Sequence, residues 1–454
     1  MAATQPLFSL VSVSKIRRDE AKATPLAHED NNVVSKLFWQ AIRFSPLLAV
    51  YLLVIVLLPD RADDVDAGRY LRYAQNLTQG FYTSADDPYF RNGPGYPIYL
   101  LPFELLNAPR WVPLIGHAIM SLGAVLFLFN TLREYISVRS SAFMGYLAGL
   151  YPVYLWYLPV IGTEPLAWFL SAALVWCLVR ASKASGFAWR YVIGAGISLG
   201  LLALTKVFFG YLSVFFGISF LTAFVIFRDT RLLKGAQIAG LALIICIPYL
   251  VHTYSLTGRV FYWATSGGEQ LYFLASPYAG EYGDWVKPRS LFYPERSHYD
   301  DAHRDFVESL GGMSAMEFDD AFRHKAIEYI KENPTAYLKN WVASVSRLFF
   351  TFPRSFKTES LTPIFFIFSN TLWLVPLLFS ILPAFAFRKL IPLEVWMAFG
   401  IVTVYLGGVS LVSSTPRNVV PAMPFVTLWL GVFYFRVLNI SISTSEARQP
   451  VSKI

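Results

Sequence analysis

Charge is what this chain has least of for its size. Only 15% of its 454 residues are Asp, Glu, Lys or Arg, while 55% are hydrophobic and 17% aromatic. A soluble domain carries about 25% charged residues, so a soluble globular fold is excluded. Cysteine is rarer still. Cys177 and Cys246 are the whole complement, and both fall inside apolar runs. That excludes a disulfide framework and leaves packing as their role. Histidines are few and lack ligand spacing: His252, His298, His303 and His324 are scattered, so no zinc or other metal site is expected. No repeated block or inverted repeat of the transporter kind appears.

What remains is a series of apolar runs, each long enough to cross about 30 Å of hydrocarbon. The chain reads as an all-α polytopic membrane protein with about ten spans. The net charge of +8 sits in tails and short loops, where cations orient spans, so no nucleic-acid partner is implied. Residues 1–39 read as a cytoplasmic tail, because no small-residue cleavage site follows the first apolar run. Lys15, Arg17, Arg18, Lys36 and Arg43 place that end inside. Spans are expected at 40–58, 113–131, 141–158, 164–180, two within 191–227, 235–253, 361–387, 391–412 and 419–437. The domain plan is then a transmembrane catalytic module, 40–253, with its first outer loop at 59–112. A large outer loop follows at 254–360, then C-terminal spans, 361–437, and a cytoplasmic tail, 438–454. Within the large loop, Phe318, Phe322, Ile327 and Ile330 fall along one face of an amphipathic helix. "NWVASVSRLFF", 340–350, reads as an interfacial helix whose start is marked by Asn333 as cap and Pro334.

The expected outer face collects polar residues that a connector does not need. "DDVDAGRYLRYAQNL", 63–77, brings Asp63, Asp64, Asp66, Arg69 and Arg72 to the exit of the first span. Glu164 stands in the turn "PVIGTEP", Lys206 in the bend "LALTKVFF", His252 at the end of a span and Arg417 in "SSTPRN". Each has a plain structural reading. Asp63 and Asp64 are read as a solvated, dipole-matched helix start. Asp66, one turn from Tyr70, is either that or a reacting carboxylate. Glu164 is a first-turn acid, Lys206 a snorkelling cation, and His252 an interfacial histidine. Against this, ionisable residues at membrane depth are functional by default, and an outer Arg417 runs against the positive-inside bias. Carboxylates and cations at one boundary are what transfer from a lipid phosphate requires: a base for the acceptor proton and cations for the departing phosphate.

Several stretches carry a resemblance. These are "DAGRYLRYAQNLTQGFY" (66–82), "NGPGYPIYLLPF" (92–103), "TEPLAWFLSAALVWCLVRAS" (163–182) and "GISLGLLALTKVFFGYL" (196–212). "PYLVHTYSLTGRVFYWATSGGEQLYF" (248–273), "AIEYIKENPTAYLKNWVASVSRLFF" and "PRNVVPAMPF" (416–425) continue the series. In order and spacing the chain resembles the GT-C superfamily of membrane glycosyltransferases, over about 40–437. Within it, the chain looks like bacterial relatives of protein O-mannosyltransferases and of the lipid A aminoarabinose transferase. The resemblance implies a GT-C-type helical bundle in a bacterial inner membrane, with its active site facing the periplasm. It implies a polyprenyl-phosphate-linked sugar donor, a lipid, glycan or protein acceptor, and no cofactor. Asp66 would be the base or orient the acceptor, with Glu164 a second acid nearby. Lys206 and Arg417 would bind the donor phosphate, His252 would assist, and Arg69 and Tyr70 would complete the substrate-binding set. The sequence departs from the pattern at three places. His252 stands where relatives often have Arg, Asn418 stands where Tyr is usual, and the acid–Lys pair of the aminoarabinose branch is missing near Arg91–Gly93. The last departure argues against aminoarabinose as the sugar. The rival readings are a lipid or polyol transporter or flippase, and an inactive envelope-assembly subunit.

Overall fold

The computed structural model describes residues 33–58, 65–85, 88–286, 288, 301–354, 361–412 and 414–440. Asp63 and Asp64 lie outside them. Every regular element among these residues is helical. Two units are distinguished, 1–42 and 43–454. The described part of the first is the opening of helix α1, Val33–Leu57, where Phe38 and Trp39 meet edge to face and both are exposed.

The second unit holds everything else. After α1 come α2 (Val65–Thr78), α3 (Gly95–Leu105), α4 (Trp111–Leu132), α5 (Val138–Gly149), α6 (Pro152–Tyr157) and α7 (Glu164–Lys183). Next are α8 (Trp189–Thr205), α9 (Phe208–Phe227), α10 (Thr230–Thr257), α11 (Gly267–Ala275), α12 (Asp301–Ser309), α13 (Ala315–Glu332) and α14 (Pro334–Phe350). The chain closes with α15 (Thr362–Ala386), α16 (Leu393–Ser410), a 3₁₀ segment, Pro416–Ala422, α17 (Met423–Val432) and a π turn, Phe433–Val437. Eight helices among the described residues are long and apolar enough to cross a membrane: Phe38–Leu57, α4, α7, α9, α10, α15, α16 and Pro416–Val437. The protein is a multi-pass, all-α membrane protein.

Two of the ten expected spans take another form. Trp189–Thr205 is apolar but only 17 residues long. The run expected as one span at 141–158 is broken into α5 and α6 at Pro152. Proline has no N–H to give the helix and forces the residue before it out of the α region; Tyr151 accordingly sits at φ −58°, ψ 113°.

Polar contacts tie one set of helix ends together. Arg180 at the end of α7 meets Glu134 beyond α4 at 2.7 Å, and Lys234 of α10 donates to the carbonyls of Ala181 and Ala184. Tyr135 donates to Glu394 at the start of α16 at 2.7 Å. This basic end also carries Arg133, Arg139, Lys183, Arg190, Arg228, Arg231, Arg388 and Lys389. The long connections belong to the other end. There α11 to α14 build a second core around Tyr272, Phe273, Phe322, Ala326 and Tyr329. Helix α13 opens with a capping box, Ser314 with Glu317. Its buried face runs through Asp319, Phe322, Ala326 and Tyr329. Ile327, expected on that face, is instead 40% exposed. It lies 5 residues from Phe322 and one residue, about 100° round the helix, from Ala326 on the i, i+4 row.

Helix α14 begins with Pro334 as expected, but Asn333 caps nothing with its side chain; its backbone also closes α13. Helix α14 is tied into the loop-end core. Asn340 donates to the carbonyls of Leu274 and Ser276, and buried Arg347 donates to those of Tyr282, Gly283 and Pro353. Burial lowers the Arg347 pKa to about 10.

Candidate active site

A third small core sets the site. Ala67, Tyr70 and Ala74 of α2 pack on Tyr96 and Leu100 of α3, with Leu114 and Ile161 beneath. Tyr70 and Tyr96 meet edge to face at 5.2 Å. This packing fixes α2 and sets Asp66 and Arg69 into the cavity beside Tyr70. The loop before α3, "NGPG", lies directly against the last turn of α8. A Cβ on Gly93 would stand 2.1 Å from the Leu204 carbonyl oxygen, and one on Gly95 would stand 2.4 Å from the Thr205 hydroxyl. Only glycine allows that approach. It brings Asn92 and Lys206 to one place. Helix α8 ends at Thr205, Lys206 is extended at φ −125°, ψ 90°, and α9 restarts at Phe208. The break gives Lys206 a position that neither helix would.

The result is a cavity of about 3010 Å³ lined from α2, the 81–93 loop, the α8–α9 bend, the 259–271 segment and the 3₁₀ segment. At its base are two acid–cation groups. Asp66 is bonded to both Arg69 and Arg417, the latter at 2.6 Å. Lys206 Nζ lies 2.8 Å from Glu164 Oε1, and the Glu164 side chain is only 4% exposed. The two groups are near enough to interact electrostatically. Burial opposes ionisation of Asp66, but Arg417 and Arg69 outweigh it and hold its carboxyl well below the usual carboxylate range. Arg69 also donates to Asn92 Oδ1 at 2.7 Å, and Asn92 in turn donates to the Tyr70 hydroxyl at 3.1 Å.

Asp66, Arg69, Tyr70, Lys206 and Arg417 therefore line one cavity, with Glu164 directly behind Lys206. Tyr70 does so as a buried core residue, and burial raises its pKa above the ordinary tyrosine value. His252 is not brought to this group. It is half-buried on α10, outside the lining residues, and among the described residues its Nε2 has no hydrogen-bond partner. Asn418 does line the cavity. Among the described residues no group of three or more His, Cys, Asp or Glu stands close enough to hold a metal ion.

Further residues of the cavity have no local signal in the sequence. Arg91 makes two bonds to Glu269, at 3.0 and 3.1 Å, across a separation of 178 residues. Trp285 donates to the same carboxylate at 3.0 Å, and Arg91 lies over its ring. Eight cations and three carboxylates line the cavity among the described residues: Arg69, Arg72, Arg91, Lys206, Arg259, Arg323, Arg354 and Arg417 against Asp66, Glu269 and Asp284. Glu164, Asp319 and Asp320 offset three of these cations from behind the wall. The balance stays positive, so the cavity suits an anion.

No protein-family model matches the chain, and no curated protein matches it. It is similar to several solved structures. One is ArnT from Cupriavidus metallidurans bound to undecaprenyl phosphate, at 14% identity and TM-score 0.38, covering 87% of this chain and 76% of that one. The apo state of the same protein gives 15% and 0.38, with 88% and 77% covered. The archaeal oligosaccharyltransferase AglB from Archaeoglobus fulgidus, in complex with an inhibitory peptide and a dolichol-phosphate, gives 14% and 0.49. That match covers 89% of this chain, which spans about half, 51%, of AglB.

Proposed function

We propose that this protein is a membrane glycosyltransferase that moves a sugar from a polyprenyl-phosphate donor to an acceptor hydroxyl. The observation that carries the reading is the base of the cavity: three cations, Arg69, Lys206 and Arg417, around two carboxylates, Asp66 and Glu164. The excess is one positive charge, and exposed Arg72, one turn from Arg69, adds a second. A phosphate ester matches both its charge and its donors. The apolar part of the same cavity includes Phe208, Tyr211, Phe366, Tyr405 and Val409, which lie on membrane-spanning helices. It gives a lipid tail a surface continuous with the bilayer. The motif resemblance to GT-C transferases supports the same reading. The cation-rich opposite end supports an outward-facing cavity, and the motif resemblance supports a bacterial inner membrane.

The acceptor oxygen attacks the anomeric carbon and its proton passes to Asp66. The bond from that carbon to the phosphate oxygen breaks, configuration inverts, and polyprenyl phosphate leaves with its new charge among Arg69, Lys206 and Arg417. A carboxylate clamped by two guanidiniums is a weak base. When the donor phosphate draws Arg417 onto itself, Asp66 loses one of its two stabilising charges and its basicity rises. The base is thereby strengthened only when a donor is present. The test is transfer from a panel of labelled polyprenyl-phosphate sugars in membranes containing the wild type or Asp66→Asn. The expected result is transfer by the wild type and a loss of about 10²–10⁴-fold in the variant, at equal membrane levels. Undiminished transfer by Asp66→Asn refutes the role of Asp66, and no transfer by the wild type from any donor turns the reading toward a transporter or an inactive subunit.

A further inference from the structure

We infer that Arg91, Glu269 and Trp285 form a sugar-reading subsite that takes an uncharged, polyhydroxylated ring. This rests on the proposed function and names the substrate class for that same cavity. The first argument is adjacency. Asn92 is bonded to Arg69 at the phosphate end, and its chain neighbour Arg91 is bonded to Glu269. Neighbouring Cα atoms are about 3.8 Å apart, so one loop delivers both contacts, and both groups line the same cavity. A ring esterified to a phosphate among Arg69, Lys206 and Arg417 reaches it without leaving the cavity.

The second argument is the chemistry of the trio. A sugar hydroxyl both donates and accepts. A carboxylate only accepts and a guanidinium only donates, so the two side by side satisfy neighbouring hydroxyls. Glu269 receives three bonds, two from Arg91 and one from Trp285, and a carboxylate has about four acceptor positions. Among the described residues, one is left to the ligand. Arg91 likewise uses two of its five N–H groups on Glu269. Both side chains line the cavity while being only 15% and 9% exposed, so hydrogen bonds there compete weakly with water. The third argument is charge. Glu269 is neutralised by Arg91, and the cavity as a whole is cationic. A sugar ammonium would meet that positive field and would have to displace Arg91 to reach the carboxylate.

The experiment uses the full chain in lipid nanodiscs and reads equilibrium binding of three probes: bare polyprenyl phosphate, the same lipid phosphate carrying a neutral hexose, and one carrying an amino-hexose. In the wild type the hexose form is expected to bind about tenfold or more tightly than the bare lipid phosphate, the gain of a hydrogen bond to a charged group. The amino-hexose form gains less. In Glu269→Gln the ratio of hexose to bare affinity is expected to fall toward one. Trp285→Phe, which keeps the ion pair and removes one donor to Glu269, also lowers that ratio. Measurable binding of the bare lipid phosphate by each variant shows that its fold is intact. If the wild type binds bare lipid phosphate but the hexose adds nothing, or if both variants keep the wild-type ratio, the subsite is refuted and the proposed function stands. If the wild type does not bind bare lipid phosphate at all, the proposed function fails and the subsite with it.

Discussion

Removing Lys206 separates a structural counter-ion from a phosphate ligand, because the pair it forms with Glu164 is buried and can be dismantled in two steps. The side chains are 14% and 4% exposed and the atoms are 2.8 Å apart. Near a protein surface two unit charges about 4 Å apart attract by about 4 kcal/mol. Lys206→Met removes that attraction and leaves the Glu164 carboxylate without its cation, which costs about 3–5 kcal/mol. At about 1–2 °C per kcal/mol for a chain of this length, the melting temperature should fall by about 3–10 °C. Adding Glu164→Gln removes the stranded charge and should return most of that loss. The charge balance at the cavity base is +1 in the wild type, 0 in the single variant and +1 again in the double variant. A loss of affinity that persists in the double variant therefore belongs to the Lys206 ammonium as a contact. Binding of bare polyprenyl phosphate should remain at least about tenfold weaker, the loss of a charge-assisted hydrogen bond. Thermal melting and lipid-phosphate binding on the purified full chain read both quantities. Wild-type affinity in the double variant would refute the ligand role, and a single variant melting within 1 °C of the wild type would refute the burial argument (about 1 °C is under about 1 kcal/mol).

Two further outcomes follow from other contacts. Asp66, held below its ordinary pKa, contributes stability above its unfolded value of about 3.9 that is lost as pH falls through its lowered folded value. Arg417→Gln weakens that hold, so melting temperatures of variant and wild type should differ most above about pH 5, with the gap narrowing only as pH falls below about 3.9 toward the lowered wild-type value. A constant gap across that range would show that the Asp66 charge is not what Arg417 stabilises. Gly268→Ala places a Cβ 1.9 Å from the Asp319 carbonyl oxygen and 2.9 Å from the Arg323 nitrogen. Both are backbone atoms, so α11 and α13 must separate. Asp319 would also lose its bonds to the Gly268 and Glu269 amides. The expected cost is about 2–3 kcal/mol, and an unchanged melting temperature would contradict it.

The membrane class and most spans were legible because apolar length alone decides them. The break at Pro152 was visible as a residue but not weighed against the hydropathy of the run around it. At the site, Asp66, Arg69, Lys206 and Arg417 could be selected because charge is scarce here and each stood at an expected span boundary. Their pairing could not be read. Nothing local joins Asp66 to Arg417, 351 residues apart, or Arg91 to Glu269. His252 satisfied the same boundary rule and yet lies outside the cavity lining, since the rule fixes depth along a helix and says nothing of which face a side chain takes. Phe318, Phe322 and Ile330 do pack on the second core, and Ile327 departs because it sits one residue past the row of Phe322 and Ala326.

The disposition of polar contacts also weighs between the enzyme and a transporter. An alternating-access path needs both ends of a bundle to open in turn. The residues that line the cavity come from the connections at the loop end and the helix ends beside them. At the other end, Glu394 is 3% exposed and bonded to Tyr135, while Lys234 is 6% exposed and bonded to two carbonyls of the α7 terminus. Opening that end would strand each of these buried groups, at about 1–3 kcal/mol or more apiece. A transfer enzyme needs no such opening. Its lipid donor enters along the bilayer and its acceptor arrives through the loop end. Charges held at one boundary, over a basic end fastened by buried bonds, fit a reaction completed on one side of the membrane.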